Sequence, residues 1–165
     1  MKIIVFSDSH GKYRNMEKAL GMHPDAEYCF FLGDGLLDFE RVKEAFPGIC
    51  CAAVKGNCDV FSLMSGNAVE SCTLDIGGKR IYLCHGHRHS VKSSPDTLEY
   101  FCAENQIDIA FFGHTHTPYE KYVTAFEKPF YVFNPGTVGG IGAGFATYGI
   151  LEIKNGEILY STAEL

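Results

Sequence analysis

The chain has 165 residues, of which 46% are hydrophobic and 21% are charged, and its formal net charge is -6. This composition is typical of a folded globular protein and excludes an intrinsically disordered chain. The negative charge argues against broad binding to nucleic acid or to an anionic membrane, because excess Lys and Arg normally gather such partners. A local cationic site, including one made by metal ions, stays compatible with it.

The predicted elements begin with a strand at residues 2–6. Its apolar run is too short for a signal-peptide core or a membrane span, so we expect a cytoplasmic protein without membrane association. Apolar runs predict further strands at residues 28–32, 50–54, 71–76, 80–84, 109–112 and 130–133, and a hairpin of residues 147–153 and 157–161 that turns at Asn155-Gly156. Helices are predicted at residues 13–20, at residues 38–45, and from Ser94 as N-cap with Pro95 as first residue.

Apolar runs and amphipathic segments alternate along the whole chain, without an internal repeat or a linker. We therefore expect one domain that covers residues 1–165. Its early part alternates strands with helices, which indicates an α/β protein. The helices are too few to cover both faces of one wide sheet, so two packed sheets flanked by helices are predicted.

The cysteines are odd in number and include no CxxC pair, and most of them lie inside apolar runs. They are Cys29, Cys50, Cys51, Cys58, Cys72, Cys84 and Cys102. Buried thiols in a reducing compartment explain this pattern better than disulfides do.

Residue types that bind metals follow five of the predicted strands directly. They are Asp8-Ser9-His10, Gly33-Asp34, Gly56-Asn57-Cys58-Asp59, His85-Gly86-His87 and Gly113-His114-Thr115-His116. Open α/β folds carry their active-site loops at such strand ends. If the strands are neighbours, the five segments form a single cluster of carboxylate, imidazole and amide ligands.

This mixture of ligands has a specific chemistry. Asp and His together suit divalent transition metals such as Mn, Fe, Zn or Ni. A carboxylate can bridge two such ions, and two cations roughly 3.5–4 Å apart can stabilise phosphoryl displacement and lower the pKa of a bound water. The residues therefore predict metal-assisted hydrolysis of a phosphate ester.

In order and spacing, the set D-x-H, GD, GN, H and GHxH from Asp8 to His116 resembles the calcineurin-like metallophosphoesterases. The segment Asn134-Pro135-Gly136-Thr137 resembles that family's NPG segment, and the length and the GNCD motif are most similar to the small phosphodiesterases of the YfcE/MJ0936 type. The resemblance implies two stacked mixed sheets flanked by helices, an α-β-β-α sandwich. It also implies a first metal bound by Asp8, His10 and His116, a second bound by Asn57, His85 and His114, and Asp34 as the bridge.

One position departs from the family pattern. Many members carry His after the GN pair as a proton donor, and this chain carries Cys58 there. A thiol is a poor replacement acid. We therefore expect Cys58 and His87 beside the reaction, with catalysis that depends on a good leaving group, on His87 or on metal-bound water, and so a preference for phosphodiesters over alkyl monoesters.

Several residues keep two interpretations. Asn57 fits a ligand or a left-handed turn, Asp59 fits an orienting residue or the end of a turn, and His87 fits a phosphate contact or an exposed loop. His23 has no partner in the pattern and is interpreted as a surface residue. A nucleophilic Cys58 would leave the ordered Asp and His set unexplained.

The expected function is that of a phosphodiesterase with two divalent cations, Mn first and Ni, Fe or Zn as alternatives, in which a metal-activated hydroxide attacks a small-molecule diester. A phosphomonoesterase could use the same site. A different class is a non-catalytic protein-binding scaffold like the retromer subunit, which is built on this fold. A homo-oligomer is compatible with an apolar patch at residues 126–133, although a buried strand explains that segment equally well.

Overall fold

The computed structural model describes residues 1–59, 69–142 and 144–165. Within these ranges the chain forms ten strands and three α-helices. In chain order they are β1 (Lys2–Phe6), α1 (Tyr13–Met22), β2 (Tyr28–Phe31), α2 (Leu36–Ala45), β3 (Cys50–Ala53), β4 (Ser71–Ile76), β5 (Lys79–Cys84), α3 (Asp96–Glu104), β6 (Ile109–Phe111), β7 (Pro118–Val123), β8 (Phe130–Pro135), β9 (Thr147–Lys154) and β10 (Glu157–Glu164). That the whole chain is one domain stays a prediction.

The described strands form two mixed sheets. The first has the order β10-β9-β1-β2-β3, in which β1, β2 and β3 run parallel and β9 is antiparallel to β1. The second has the order β4-β5-β6-β8-β7, in which β5, β6 and β8 run parallel between two antiparallel edge strands. The prediction of two stacked sheets in an α/β fold is confirmed.

Three layers of buried side chains hold the sandwich together. The inward faces of the two sheets share one core, in which Val5 and Phe30 from the first sheet meet Leu83 and Phe111 from the second. The outer face of the first sheet packs against α1 and α2, and that of the second sheet packs against α3. Parallel strands that are buried on both faces explain the nearly continuous apolar runs that predicted them.

The strand β7 was not predicted. Its sequence PYEKYV has little apolar alternation, and all but one of its residues are at least partly exposed. Among the described strands it pairs only with β8, at the edge of the second sheet, and it begins with Pro118, which is tolerated at an edge. Pairing with β8 therefore specifies this strand more than its own side chains do.

Two helices begin at residues other than those predicted. The helix α2 starts at Leu36 instead of residue 38, because the Asp59 carboxylate accepts the Leu36 backbone N–H at 3.0 Å. The helix α3 starts at Asp96 with Pro95 at the N-cap. The predicted N-cap, Ser94, therefore lies one residue before the observed one, and its hydroxyl accepts the Asp96 N–H at 3.2 Å.

All seven cysteines lie in described ranges and carry free thiols, in agreement with the prediction. Cys50 and Cys58 are exposed, however, and so differ from the expected buried thiols. None of the described helices is both long enough and apolar enough to span a membrane.

Candidate metal centre

The loops that follow the parallel strands of both sheets meet at one edge of the sandwich. Hydrogen bonds connect the sheets there: for example, His85 Nδ1 donates to the Leu32 carbonyl at 2.7 Å, and the His114 backbone N–H donates to Asp8 Oδ2 at 3.0 Å. All seven predicted ligands gather at this edge: Asp8, His10, Asp34, Asn57, His85, His114 and His116.

Asp8, His10 and His116 form the first group of potential ligands, with their ligand atoms within 4.8 Å of one another. Asp8 Oδ1 lies 3.1 Å from His116 Nε2 and 3.9 Å from His10 Nε2, and the two Nε2 atoms are 3.4 Å apart. His116 Nδ1 donates to the Ile141 carbonyl at 3.0 Å, which directs Nε2 towards the carboxylate. The hydrogen bond from His116 to Asp8 raises the pKa of this imidazole.

The second group consists of Asp34, His85 and His114, and Asn57 adjoins it. His85 Nε2 is at the centre, 3.1 Å from Asn57 Oδ1, 3.2 Å from His114 Nδ1 and 3.4 Å from Asp34 Oδ2. Burial, followed by the charge of His85, lowers the pKa of His114 to about 4. His114 is therefore neutral near pH 7, as a metal-binding imidazole must be.

Asp34 lies between the two groups and is only 3% exposed. Besides its place beside His85, its carboxylate forms a third group with His10 and Cys58. Oδ1 accepts the Cys58 backbone N–H at 2.7 Å, while Oδ2 faces His85. Burial by itself would raise the pKa of Asp34, but the hydrogen bond and charge of His85 outweigh it and lower that pKa.

The backbone around the site adopts unusual conformations. Of the eight non-glycine residues with positive φ in the described ranges, five are predicted ligands: Asp8, His10, Asp34, His114 and His116. Such conformations concentrate at functional sites, where the surrounding structure enforces them. Glycine is required beside them, because a Cβ on Gly56 would overlap the Asp34 carboxylate and one on Gly113 would overlap Ser7.

Asp59 organises the loops of the first sheet, which decides between its two interpretations. Its Oδ2 accepts the backbone N–H groups of Asp34 and Gly56, each at 2.8 Å. Its Oδ1 accepts those of Gly35 at 2.9 Å and Leu36 at 3.0 Å. One buried carboxylate thus fixes the loops after β2 and β3 together, as residues that orient ligands do.

Two further buried residues were missed as parts of the site. Asp38 Oδ2 accepts the Ser9 hydroxyl and the Gly11 N–H, each at 2.7 Å, and so holds the loop after β1. Asn134 donates to the Gly113 carbonyl at 2.9 Å and accepts the Gly136 N–H at 2.8 Å, which holds the loop after β6. The NPG segment marked Asn134, whereas Asp38 carried no recognisable signal beyond its place near a helix start.

His87 and Cys58, the two predicted residues beside the reaction, lie next to the ligands. The His87 ring is 5.4 Å from that of His85, and its Nε2 is 3.8 Å from Glu70 Oε2. The Cys58 residue is exposed as a whole. Partial desolvation of its thiol, together with the Asp34 charge, raises the pKa of this thiol to about 11. A thiol with so high a pKa is not an activated nucleophile.

His23 was interpreted as a surface residue and is half-buried. Its Nε2 forms a hydrogen bond of 2.9 Å with the Tyr148 hydroxyl, and it is in none of the described groups of potential metal ligands. This imidazole therefore has a structural partner outside the site.

Comparison with known families agrees with this arrangement. The protein family described as "Calcineurin-like phosphoesterase superfamily domain" matches this chain over residues 1–156, nearly its whole length. The chain belongs to this superfamily. The resemblance that the ordered motifs indicated is thereby confirmed.

Two proteins that are similar in sequence to this chain are phosphoesterases by name. The probable metallophosphoesterase YsnB of Bacillus subtilis is 30% identical over 116 residues, which cover 70% of this chain and 64% of YsnB. The chain thus spans less than two thirds of YsnB's length. The phosphodiesterase YfcE of Escherichia coli K12 is 28% identical over 174 residues, which cover 92% of this chain and 88% of YfcE.

Solved structures share the fold over the whole chain. An archaeal phosphodiesterase is 26% identical, with a TM-score of 0.75 and full coverage of both chains. Vacuolar Protein Sorting 29 from Cryptosporidium parvum is 19% identical, with a TM-score of 0.73, and covers 99% of this chain and 97% of its own. At that identity the second likeness concerns the fold alone.

The donor set of this chain fits the divalent cations that its family implies. His85 holds its Nδ1 proton towards Leu32, so a neutral ring presents a lone pair at Nε2 to Asn57 Oδ1 and Asp34 Oδ2, which are acceptors too. Acceptors this close need a proton or a cation between them. Burial by itself would lower the pKa of His85, but Asp34 and Asp8 outweigh burial and raise this pKa above its ordinary value. The pocket therefore attracts positive charge.

Proposed function

We propose that the chain is a phosphodiesterase that works with two divalent cations. Asp8, His10 and His116 would bind the first, Asn57, His85 and His114 would bind the second, and Asp34 would be shared between them. The observation that carries this proposal is the position of the buried Asp34 carboxylate, which belongs both to the group with His85 and His114 and to the group with His10.

The residues of the chain would orient these ligands before substrate binds. The backbone carbonyls of Leu32 and Ile141 hold the Nδ1 atoms of His85 and His116, so both rings present Nε2 to the site. Asp59 holds the backbone beside Asp34. Two bound divalent cations would supply neutralisation of the phosphate charge and would lower the pKa of a water molecule. Rigid ligands favour this chemistry, because the site need not reorganise during the reaction.

The substrate class follows from the residue at position 58. A cysteine stands beside Asp34, where many family members carry a proton-donating His, so protonation of a poor leaving group would be weak. Diesters with a good leaving group, such as aryl or nucleotide diesters, are therefore the proposed substrates. His87 is the proposed alternative proton donor, because its ring lies 5.4 Å from His85 and 6.1 Å from His114.

The ligand set accepts several transition metals, of which Mn is the first choice and Ni, Fe and Zn are the alternatives. The free thiols suit a reducing compartment, which supports the proposed cytoplasmic location. The substrate would be a small molecule.

Metal titration with a chromogenic aryl diester tests the proposal. We expect turnover that depends on Mn and is abolished by a chelator. His114→Ala should lower it at least about a hundredfold, as expected for loss of a ligand. The matched control is His23→Gln, which changes an imidazole outside the site.

Absence of turnover above that of the metal alone, or full activity of His114→Ala, would refute the hydrolase proposal. Alkyl monoesters cleaved faster than aryl or nucleotide diesters would refute the substrate preference and favour a phosphomonoesterase. For His87, the test is His87→Asn: if His87 is the proton donor, the loss of activity should grow as the leaving group becomes more basic.

A non-catalytic scaffold is the competing class, because the fold is shared with Vacuolar Protein Sorting 29. A scaffold does not need a complete set of ligands on converging loops. Full occupancy of all seven predicted ligand positions by Asp, His and Asn therefore favours the enzyme.

A further inference from the structure

Cys58 belongs to a group of potential metal ligands that the family pattern does not contain. Its Sγ, one nitrogen of His10 and one carboxylate oxygen of Asp34 lie within 4.8 Å of one another. The three residues come from the loops after β3, β1 and β2. Among the described groups of this kind, this is the one that includes a cysteine.

The backbone that carries this thiol is firmly held. The Cys58 N–H donates to Asp34 Oδ1 at 2.7 Å, and Asp59 Oδ2 accepts the N–H groups of both Gly56 and Asp34. Asn57 Nδ2 in turn approaches the Cys58 sulfur at 3.3 Å. The distance between the thiol and the Asp34 carboxylate is therefore built into the anchored loops.

The thiol also faces solvent. An open pocket of about 340 Å³ is lined by His10, Asp34 and Cys58, with Leu37 on its wall. A cation that enters this pocket meets the sulfur, the imidazole and the carboxylate together. The pocket thus provides the access that a new ligand requires.

The three atoms are close enough to share one ion. Zn–S bonds are about 2.3 Å and Zn–N bonds about 2.0–2.1 Å long, so two ligands of a tetrahedral ion lie roughly 3.5 Å apart. The three ligand atoms lie within 4.8 Å of one another, so their separations approach that spacing. Thiolate ligands select soft and borderline ions, whereas Mn prefers oxygen ligands.

We propose that Cys58 is a thiolate ligand for thiophilic divalent cations, such as zinc or cadmium, and that it binds the ion together with His10 and Asp34. Binding forms a sulfur–metal bond and releases the Sγ proton to solvent. The inference rests on the proposed cation site but does not require turnover. It predicts that Cys58 makes this site prefer zinc and cadmium over manganese.

Cadmium binding to the full chain tests the inference without an activity assay. After removal of metal by a chelator, titration with Cd²⁺ should produce the ultraviolet charge-transfer absorbance of a cadmium–thiolate bond. Cys58→Ser should abolish this absorbance and weaken Zn²⁺ binding in calorimetry by about tenfold or more, with little change for Mn²⁺. Cys50→Ser is the matched control, because Cys50 is the other exposed thiol.

Cadmium binding without the absorbance, or an absorbance that persists in Cys58→Ser, would overturn the inference and leave the proposed phosphodiesterase intact. If Cys50→Ser abolished the absorbance, the cadmium–sulfur bond would belong to Cys50 and not to Cys58, and the inference would be overturned too. If neither Mn²⁺ nor Cd²⁺ binds the wild-type chain, both the cation site and the thiolate ligand are refuted.

Discussion

The two sheets contribute different chemistry to the site and support it in different ways. The loops after β1, β2 and β3 carry every proposed oxygen ligand, together with His10, whereas those after β5 and β6 carry only the imidazoles among the proposed ligands. In the first sheet, the buried carboxylates of Asp38 and Asp59 hold the loops through backbone N–H groups. In the second sheet, neutral groups do so, namely the Asn134 amide and the Ile141 carbonyl.

This difference separates two requirements of a metal site. The first sheet concentrates four buried aspartates at one edge: Asp8, Asp34, Asp38 and Asp59. Buried negative charge is costly unless positive charge compensates it. The aspartates of the first sheet therefore favour the binding of cations at this edge. The imidazole half adds ligands without adding charge. Mutations in the first half should therefore change cation binding more strongly than mutations in the second.

The largest effect is expected for Asp34→Asn. The amide removes the charge shared between the two groups but retains an acceptor for the Cys58 N–H. Cation affinity by calorimetry and turnover of an aryl diester should each fall at least about a hundredfold. Asp75→Asn, at an exposed position of β4, is the matched control. Equal cation affinity in Asp34→Asn and wild type would contradict a shared carboxylate.

The next largest effect is expected for Asp59→Asn. An amide cannot accept all four backbone N–H groups, because its own NH₂ would face donors. Cation affinity should fall about ten- to hundredfold, and the free energy of unfolding of the metal-free protein should fall by about 2–3 kcal/mol. Both are measurable, by calorimetry and by urea unfolding.

Asp34→Asn provides the contrast for that experiment, because it keeps the acceptor for the Cys58 N–H and should lower metal-free stability less than Asp59→Asn does. If Asp59→Asn kept full stability but lost cations, Asp59 would act on the metals directly and not as an anchor of the loops.

In the second sheet, Asn134→Ala tests the neutral support. The change removes hydrogen bonds to Gly113, Thr115 and Gly136 from a fully buried position. Stability should fall by about 2–3 kcal/mol, because buried partners lose their hydrogen bonds. Cation affinity should fall by about tenfold at most, since no charge is lost. Asn105→Ala, which removes an exposed hydrogen bond to Phe101, is the control. A larger loss of affinity than in Asp59→Asn would reverse the comparison of the two halves.

The sequence predicted which side chains gather at this edge because their signal is local; that they bind metal stays a prediction. Each of the five segments directly follows an apolar run, and such a run followed by Asp or His can be recognised without tertiary information. The parallel strands then bring these ends to one edge of the sandwich. The assignment of all seven residues to particular metals came only with the family resemblance and stays a prediction.

The supporting residues were harder to predict because their partners are distant in sequence. Asp38 binds the backbone of Gly11, and Asn134 binds that of Gly113, 27 and 21 residues away. Nothing in the local sequence distinguishes such a carboxylate from one that caps a helix. The strand β7 was missed for the same reason, since pairing with β8 and not its own apolar pattern defines it.

The smallest effect is expected for Asp108, a carboxylate of the second sheet that lies outside the site. Its Oδ2 accepts the Arg80 N–H at 2.7 Å, and its Oδ1 lies 2.9 Å from Lys128 Nζ. Burial raises the pKa of Asp108, but the Arg80 N–H and Lys128 outweigh this and lower it. A folded-state pKa below the unfolded value stabilises the protein above about pH 4 and loses that contribution as the pH falls through the folded pKa.

Asp108→Asn should therefore cost about 1 kcal/mol near neutral pH, and wild type and variant should converge at an acid pH below the folded-state pKa of Asp108. Urea unfolding of the metal-free protein at both pH values measures this difference, and calorimetry should find Mn²⁺ affinity unchanged. Asp108 accepts a backbone N–H as Asp59 does but lies outside the groups of potential metal ligands. Its substitution therefore shows what the loss of a backbone-anchoring carboxylate does when the cation site itself is unchanged. If Asp108→Asn weakened cation binding as much as Asp59→Asn, general loss of stability would explain both effects, and the special role of the first sheet would fail.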